Sequence, residues 1–275
     1  DFFTGFGEAF QYSNQLVATG GWVAAAAAGG EYGSLDNAYL TLIAERVLGP
    51  IGMKDTTFSF DQVLASENYA TPHRLSTTGA RVPLPVDADR LLLGLAPAGA
   101  AWSTAEDMSR YLLTVMNQGL SPDGTRVVSA QNLGETWQPQ VPVDATASYG
   151  LGWFVDSYKQ QPLLHHGGNT SGFTTDLAFL PEADLGIVVM SNGRLTNAFT
   201  HAVRFRLLEL AFEQAQEYDS IAAFTHAQTV ELSLAPVAKA VAVDPALVTP
   251  YLGRYTNAAL GEVDLKLEGE RLILD

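Results

Sequence analysis

Two apolar runs and the turn between them do most to limit what this chain can fold into. Leu177 to Leu180 and Gly186 to Met190 read as strands, and Pro181-Glu182-Ala183-Asp184 joins them as a hairpin. Ser191-Asn192-Gly193 is a turn, and Phe199 to Gln214 has the length and spacing of a helix. Its buried side is expected to carry Phe199, Val203, Leu207, Leu210 and Ala211. Tyr149 to Val155 reads as a further strand, and His165-His166 begins another strand or its edge. A sheet over residues 147–195 with a helix packed on it follows.

The first half reads as helical. An alanine-rich helix is predicted over Trp22 to Ala28, after a Gly20-Gly21 break. A second helix is capped by Asp36 and stopped by Gly49-Pro50. Ser103-Thr104-Ala105-Glu106 has the form of a capping box with Ser103 as the cap. Met108, Tyr111, Leu112, Val115 and Met116 then form one apolar face, ended by Gly119. Residues 51 to 100 lack strong periodicity, and a segment that long usually wraps a site or caps a core.

Composition removes several functions. With a net charge of -15, the surface repels nucleic acid and anionic lipid. There is no cysteine, which excludes thiol catalysis, disulfides and cysteine-held metals. No apolar run approaches the ~20 residues that span a bilayer. Among five histidines none forms a His-Glu-x-x-His pair, and His165 and His166 must face opposite sides of a strand. No metal and no cofactor is expected. The chain also has no G-x-S-x-G elbow and no Ser-x-x-Lys.

What remains is Tyr12-x-Asn14 and, far downstream, His166-x-Gly168. A Tyr hydroxyl acts as a general base where cations lower its pKa. An Asn amide both donates and accepts. A glycine on an edge strand lets a backbone N–H face a substrate carbonyl, as in an oxyanion hole. Alone, Tyr12-x-Asn14 reads as a turn residue plus a packed ring, and the His166 stretch as a glycine turn before a strand with one His satisfied in the core.

Together with their neighbours these motifs resemble the serine β-lactamase-like family, the penicillin-recognising hydrolases that include class C β-lactamases, D-amino-acid peptidases and related esterases. The resemblance rests on Tyr12-Ser13-Asn14, Val47 to Phe58, Pro97 to Met108, Tyr149-Gly150-Leu151-Gly152-Trp153 and His166 to Phe173, in that order. It implies an α+β fold of β-lactamase/transpeptidase type, an antiparallel sheet flanked by helices plus a helical subdomain, with the site in the groove between them. Residues 1–215 would be the hydrolase domain and 216–246 a linker. Residues 247–275 would be the start of a small C-terminal β module.

By the same resemblance Tyr12 would be the catalytic base, Asn14 would hold substrate and a catalytic Lys, and His166 would replace the Lys of the lactamases' third motif. Gly168 and Asn169 would bind substrate, with an oxyanion-hole N–H nearby. The implied activity is hydrolysis of an ester, amide or D-peptide through an acyl-enzyme, with an esterase or peptidase favoured over a true β-lactamase. Implied partners are a small-molecule or short-peptide substrate and a separate N-terminal fragment carrying Ser-x-x-Lys. A periplasmic or secreted location goes with the family. The alternative is a non-catalytic binding or regulatory homologue without the nucleophile.

Overall fold

In the computed structural model of this chain, structure is described for residues 4–5, 7–76, 79–219, 222–223, 225–226, 244–257, 261–269 and 271–274. Helix α1 (Asn14–Ala27) starts where the Ser13 hydroxyl accepts the Leu16 N–H at 3.3 Å. It runs straight through Gly20-Gly21, where a break was expected. The reason is packing. A Cβ on Gly21 would lie 2.3 Å from Pro97, so the glycine lets α1 meet the 3-10 segment Val86–Ala98 at close range.

Helix α2 (Leu35–Ile43) has Ser34, not Asp36, at its cap position, and Asp36 lies in its first turn, where the helix dipole favours a carboxylate. Gly49-Pro50 does not stop the chain's helical course. A π turn (Ala44–Leu48) leads into α3 (Gly49–Ile51), where proline is tolerated in the first turn. Gly52, at φ 82°, makes the left-handed exit. After α4 (Phe60–Ala65) come a small hairpin of β1 (His73–Leu75) and β2 (Arg81–Pro83), then the 3-10 segment.

Helix α5 (Ala105–Met116) is capped one residue later than expected. Thr104 accepts the Asp107 N–H at 3.1 Å. Asp107, buried, is turned instead to the Asp55 N–H and the Thr56 hydroxyl. Its apolar face is the expected one. Helix α6 (Ala130–Thr136) follows.

The sheet is six-stranded and antiparallel, in the order β3 (Val141–Pro142), β4 (Ser148–Tyr149), β5 (Phe154–Tyr158), β6 (Gln161–Asn169), β7 (Thr174–Leu180), β8 (Leu185–Ser191). Tyr149 to Val155 is therefore not one strand. Gly152, at φ 89°, turns the chain, and β4 and β5 pair across the turn. His165 and His166 lie inside β6 rather than at its start.

Alternation along the strands sends Leu164, Leu177 and Phe179 to one face, against Leu112 and Val115 of α5. Leu163, Ala178 and Leu180 go to the other face, against Leu208 of α7 (Asn197–Ala211). Phe179 is fully buried and contributes roughly 1.5–3 kcal/mol by transfer from water.

Helix α7 is rotated from expectation. Thr200, Arg204 and Leu208 face the sheet, while Phe199, Val203 and Leu210 are 48%, 36% and 60% exposed. A buried ion pair explains the rotation. Arg204 Nη1 donates to Asp176 Oδ1 of β7 at 3.0 Å, beneath the sheet. Fixing that guanidinium inward turns the apolar stripe outward.

A three-stranded antiparallel sheet, β9 (Gly253–Asn257), β10 (Gly261–Glu268) and β11 (Arg271–Leu274), ends the chain. The expected linker over 216–246 lies largely outside the described residues. No helix among the described residues is long and apolar enough to cross a membrane.

Candidate active site

Strand β6 changes character along its length. Gln161 to His165 pair with β5 on one side and, from Leu164 on, β6 pairs with β7 on the other. Pairing with β5 ends at Phe154–His165, so among the described residues His166 to Asn169 present an open edge. The strand is internal at one end and an edge at the other. In an antiparallel ladder, successive residues point their N–H and C=O to opposite sides. The Thr170 N–H bonds the Phe173 carbonyl at 3.0 Å, across the turn to β7. By alternation the backbone groups of Gly168 and His166 also point to β7, and those of Gly167 and Asn169 point to the open edge. The free donor expected near Gly168 to Asn169 is thus the Asn169 N–H.

The Asn169 side chain is committed elsewhere. Its Oδ1 accepts from the Thr174 hydroxyl (2.8 Å) and the Leu195 N–H (3.2 Å), and its Nδ2 donates to Asn197 Oδ1 (3.1 Å). These bonds fix the end of the strand rather than reach toward the groove. Gly168 lies on the face of His166, where a Cβ would come 2.7 Å from the Thr175 hydroxyl.

The turn after β6 is held by the long segment 51–100 and by Trp102 just beyond it. Buried Asp89 accepts the Ser171 N–H at 2.9 Å, Gly172 packs too closely on Pro72 to carry a Cβ, and Trp102 meets Phe173 edge-on at 5.2 Å.

Tyr12 arrives from the loop before α1. Its ring centroid lies 5.9 Å from that of His166 and 6.1 Å from that of Tyr149. Phe10 and Phe154 complete an aromatic enclosure, 5.1 and 4.9 Å from Tyr149. Asn14, the first residue of α1, is exposed two residues beyond Tyr12. The structure therefore brings Tyr12 and His166 together and adds Tyr149 and Phe10, which motif reading did not single out as site residues.

The hydrogen bonds of His166 define its state. Nδ1 lies 2.7 Å from the Gly167 carbonyl, which can only accept, so Nδ1 carries the proton. Burial pushes its pKa down, only partly offset by that carbonyl and by Asp176, so the ring is neutral near pH 7. Its Nε2 then accepts from the Tyr149 hydroxyl at 3.0 Å. Burial raises the Tyr12 pKa, and burial together with Tyr12 pushes Tyr149 up to about 12. Both phenols are protonated at neutral pH.

His165 occupies the opposite face. It stacks on Phe154 at 5.4 Å, and burial, reinforced by Arg204, His201 and His166, holds its pKa down to about 3. Its 4.0 Å approach to Asp156 is therefore not an ion pair at neutral pH. Among the described residues no group of three or more His, Asp or Glu side chains could hold a metal ion.

The family model described as Beta-lactamase matches residues 4–212. The chain is 31% identical over 180 residues to "Penicillin-binding protein 4" of Amycolatopsis lactamdurans, covering 62% of this chain and 45% of that protein. It is 24% identical over 189 residues to "Unguisins hydrolase ungD'" of Aspergillus campestris (strain IBT 28561), covering 66% and 33%. Among solved structures, the octameric penicillin-binding protein homologue from Pyrococcus abyssi superposes with a TM-score of 0.64 at 19% identity, covering 98% of this chain and 53% of that one. The chain thus spans less than half the length of these two curated relatives and about half of this structural one.

Proposed function

This chain belongs to the Beta-lactamase family, whose members share a hydrolase fold, and from that premise we propose that it forms one wall of a serine hydrolase acting through an acyl-enzyme on an ester, amide or D-peptide. The observation that carries the reading is the convergence of Tyr12, Tyr149 and His166 at the open end of β6, beside the outward Asn169 N–H. In this reading Tyr12 is the base, Asn14 holds substrate and a catalytic Lys, and His166 lines the groove. Gly168 keeps the strand narrow, and the Asn169 N–H stabilises the developing oxyanion.

The nucleophile comes from a Ser-x-x-Lys segment outside these 275 residues, on the same polypeptide or a separate fragment. Two observations support this. A protonated Tyr12 needs a neighbouring cation to act as a base, and the Lys of such a segment supplies one. The outer edge of β8 carries no partner strand among the described residues, and the exposed Phe199–Val203–Leu210 flank of α7 lies on that side, because the opposite flank, with Phe205 and Phe212, packs toward Tyr158 of β5. An added strand and helix would cover both. The three-stranded β9–β11 sheet would open a second module, and the location would be periplasmic or secreted.

Fluorophosphonate labelling of the protein from its native source tests the reading. A labelled Ser-x-x-Lys peptide should be recovered with Tyr12 and His166, on one chain or two. Conversion of Tyr12 to Phe should then lower kcat/KM by roughly 10²- to 10⁴-fold. An unlabelled protein with no Ser-x-x-Lys polypeptide attached would favour a non-catalytic groove instead.

A further inference from the structure

We infer that Tyr149 is the positioning residue of this site, holding His166 as a neutral hydrogen-bond acceptor and making the corner they share select substrates with an N–H donor over those with a free carboxylate. The inference rests on the hydrolase reading above for its substrate clause, and for the rest on the hydrogen-bond geometry together with the burial that keeps His166 neutral.

His166 has two ring nitrogens, and neither is free to donate into the groove. Nδ1–H is taken by the Gly167 carbonyl at 2.7 Å. Nε2 is taken by the Tyr149 hydroxyl at 3.0 Å, and the direction of that bond is forced, because the only proton available lies on the phenol. The Tyr149 proton being used, its oxygen keeps lone pairs for an incoming donor. Tyr149 is itself held by rings, with Phe10 at 5.1 Å, Phe154 edge-on at 4.9 Å and Tyr12 edge-on at 6.1 Å. The groups that face the imidazole are Tyr12 from the loop before α1, Tyr149 from β4, and Asp176 from β7, whose charge reaches it through the sheet. None is a cation. A substrate carboxylate placed here would meet an acceptor oxygen and a neutral ring, on a protein of net charge -15. An amide N–H or an ammonium would be received instead.

The test has two arms. In the first, long-range ¹H–¹⁵N spectra of the wild-type chain at pH 7 should show His166 as the Nδ1–H tautomer. In Tyr149→Phe the Nε2 shift should move and the His166 pKa should rise toward its ordinary value, with the fold unchanged by circular dichroism. An Nε2–H tautomer in the wild type, or His166 signals unmoved in the variant, would overturn the positioning role whether or not the protein is a hydrolase.

In the second arm the assembled enzyme is given one ester substrate carrying, beside the scissile bond, either a primary amide or a free carboxylate. The amide form should be preferred by roughly ten- to hundredfold in kcat/KM at pH 7, and the preference should shrink as His166 protonates at lower pH. Equal use of both would overturn the selectivity. A protein with the first arm's signature and no turnover of either substrate would refute the hydrolase reading and leave the positioning of His166 standing.

Discussion

The two faces of the sheet treat neighbouring residues in opposite ways. His166 looks toward the groove, among phenols that remain half-exposed, and each of its nitrogens has one partner. One residue earlier, His165 looks toward α7, where Asp176 and Arg204 are 1% and 4% exposed and His201 approaches Asp176 at 3.9 Å. The groove face is neutral and hydrogen-bonded. The α7 face is charged and buried. Asp176 Oδ2 and Arg204 Nε have no hydrogen-bond partner among the described residues, so its polar groups are only partly satisfied. Orientation is demanded of the first face and cohesion of the second.

The largest effect should come from breaking the charged face. Arg204→Ala leaves Asp176 buried without its cation and should destabilise the fold by about 3–5 kcal/mol, measured by urea unfolding. Replacing both partners with apolar side chains of similar volume should cost far less. If the single and double variants lose the same amount, the ion pair is not what distinguishes this face.

Next comes pH. Burial lowers the pKa of His165 (to about 3), His166 and His201 in the folded protein. The unfolded chain therefore takes up protons first as pH falls below about 6.5. Their stabilisation is complete above that pH and drains away as the pH falls, for His165 until about pH 3 at about 1.4 kcal/mol per pH unit. Asp176, pushed up by burial, acts in the opposite sense. Thermal unfolding should thus show a decline below pH 6.5 that His165→Phe reduces most, because His165 is the deepest-shifted of the three.

Between the faces stands Asn169, whose side chain ties β6 to Thr174, Leu195 and Asn197. Asn169→Ala should cost about 1–3 kcal/mol by the same unfolding measurement. The smallest effect belongs to the groove-side helix α5. Thr104→Ala removes only a cap and should lower stability by about 1 kcal/mol without touching the histidine titrations.

What the sequence discloses follows from how local each signal is. The hairpin of β7 and β8 depends on apolar runs and a Pro-Glu-Ala-Asp turn a few residues apart, and it is present as read. The apolar face of α5 is likewise local and correct. The orientation of α7 could not be read, because Arg204 is turned inward by Asp176, 28 residues away. Phe199, Val203 and Leu210 then look like a buried stripe while being an exposed one. Gly20-Gly21 misleads for the same reason, since Gly21 answers to Pro97 and not to a helix end. At the site, Tyr12, Asn14 and His166 stand out as motif residues. Phe10 and Tyr149 become site residues only through tertiary approach, and the free donor at Asn169 appears only once the register of β6 is known.

That half-open strand has a consequence for proton exchange with solvent. Amides of His166 and Gly168 are locked into β7, whereas those of Gly167 and Asn169 look outward. Deuterium uptake along this four-residue stretch should alternate, slow then fast then slow then fast. An extended ligand that laid its own backbone along the edge would erase the alternation by slowing the two fast positions alone.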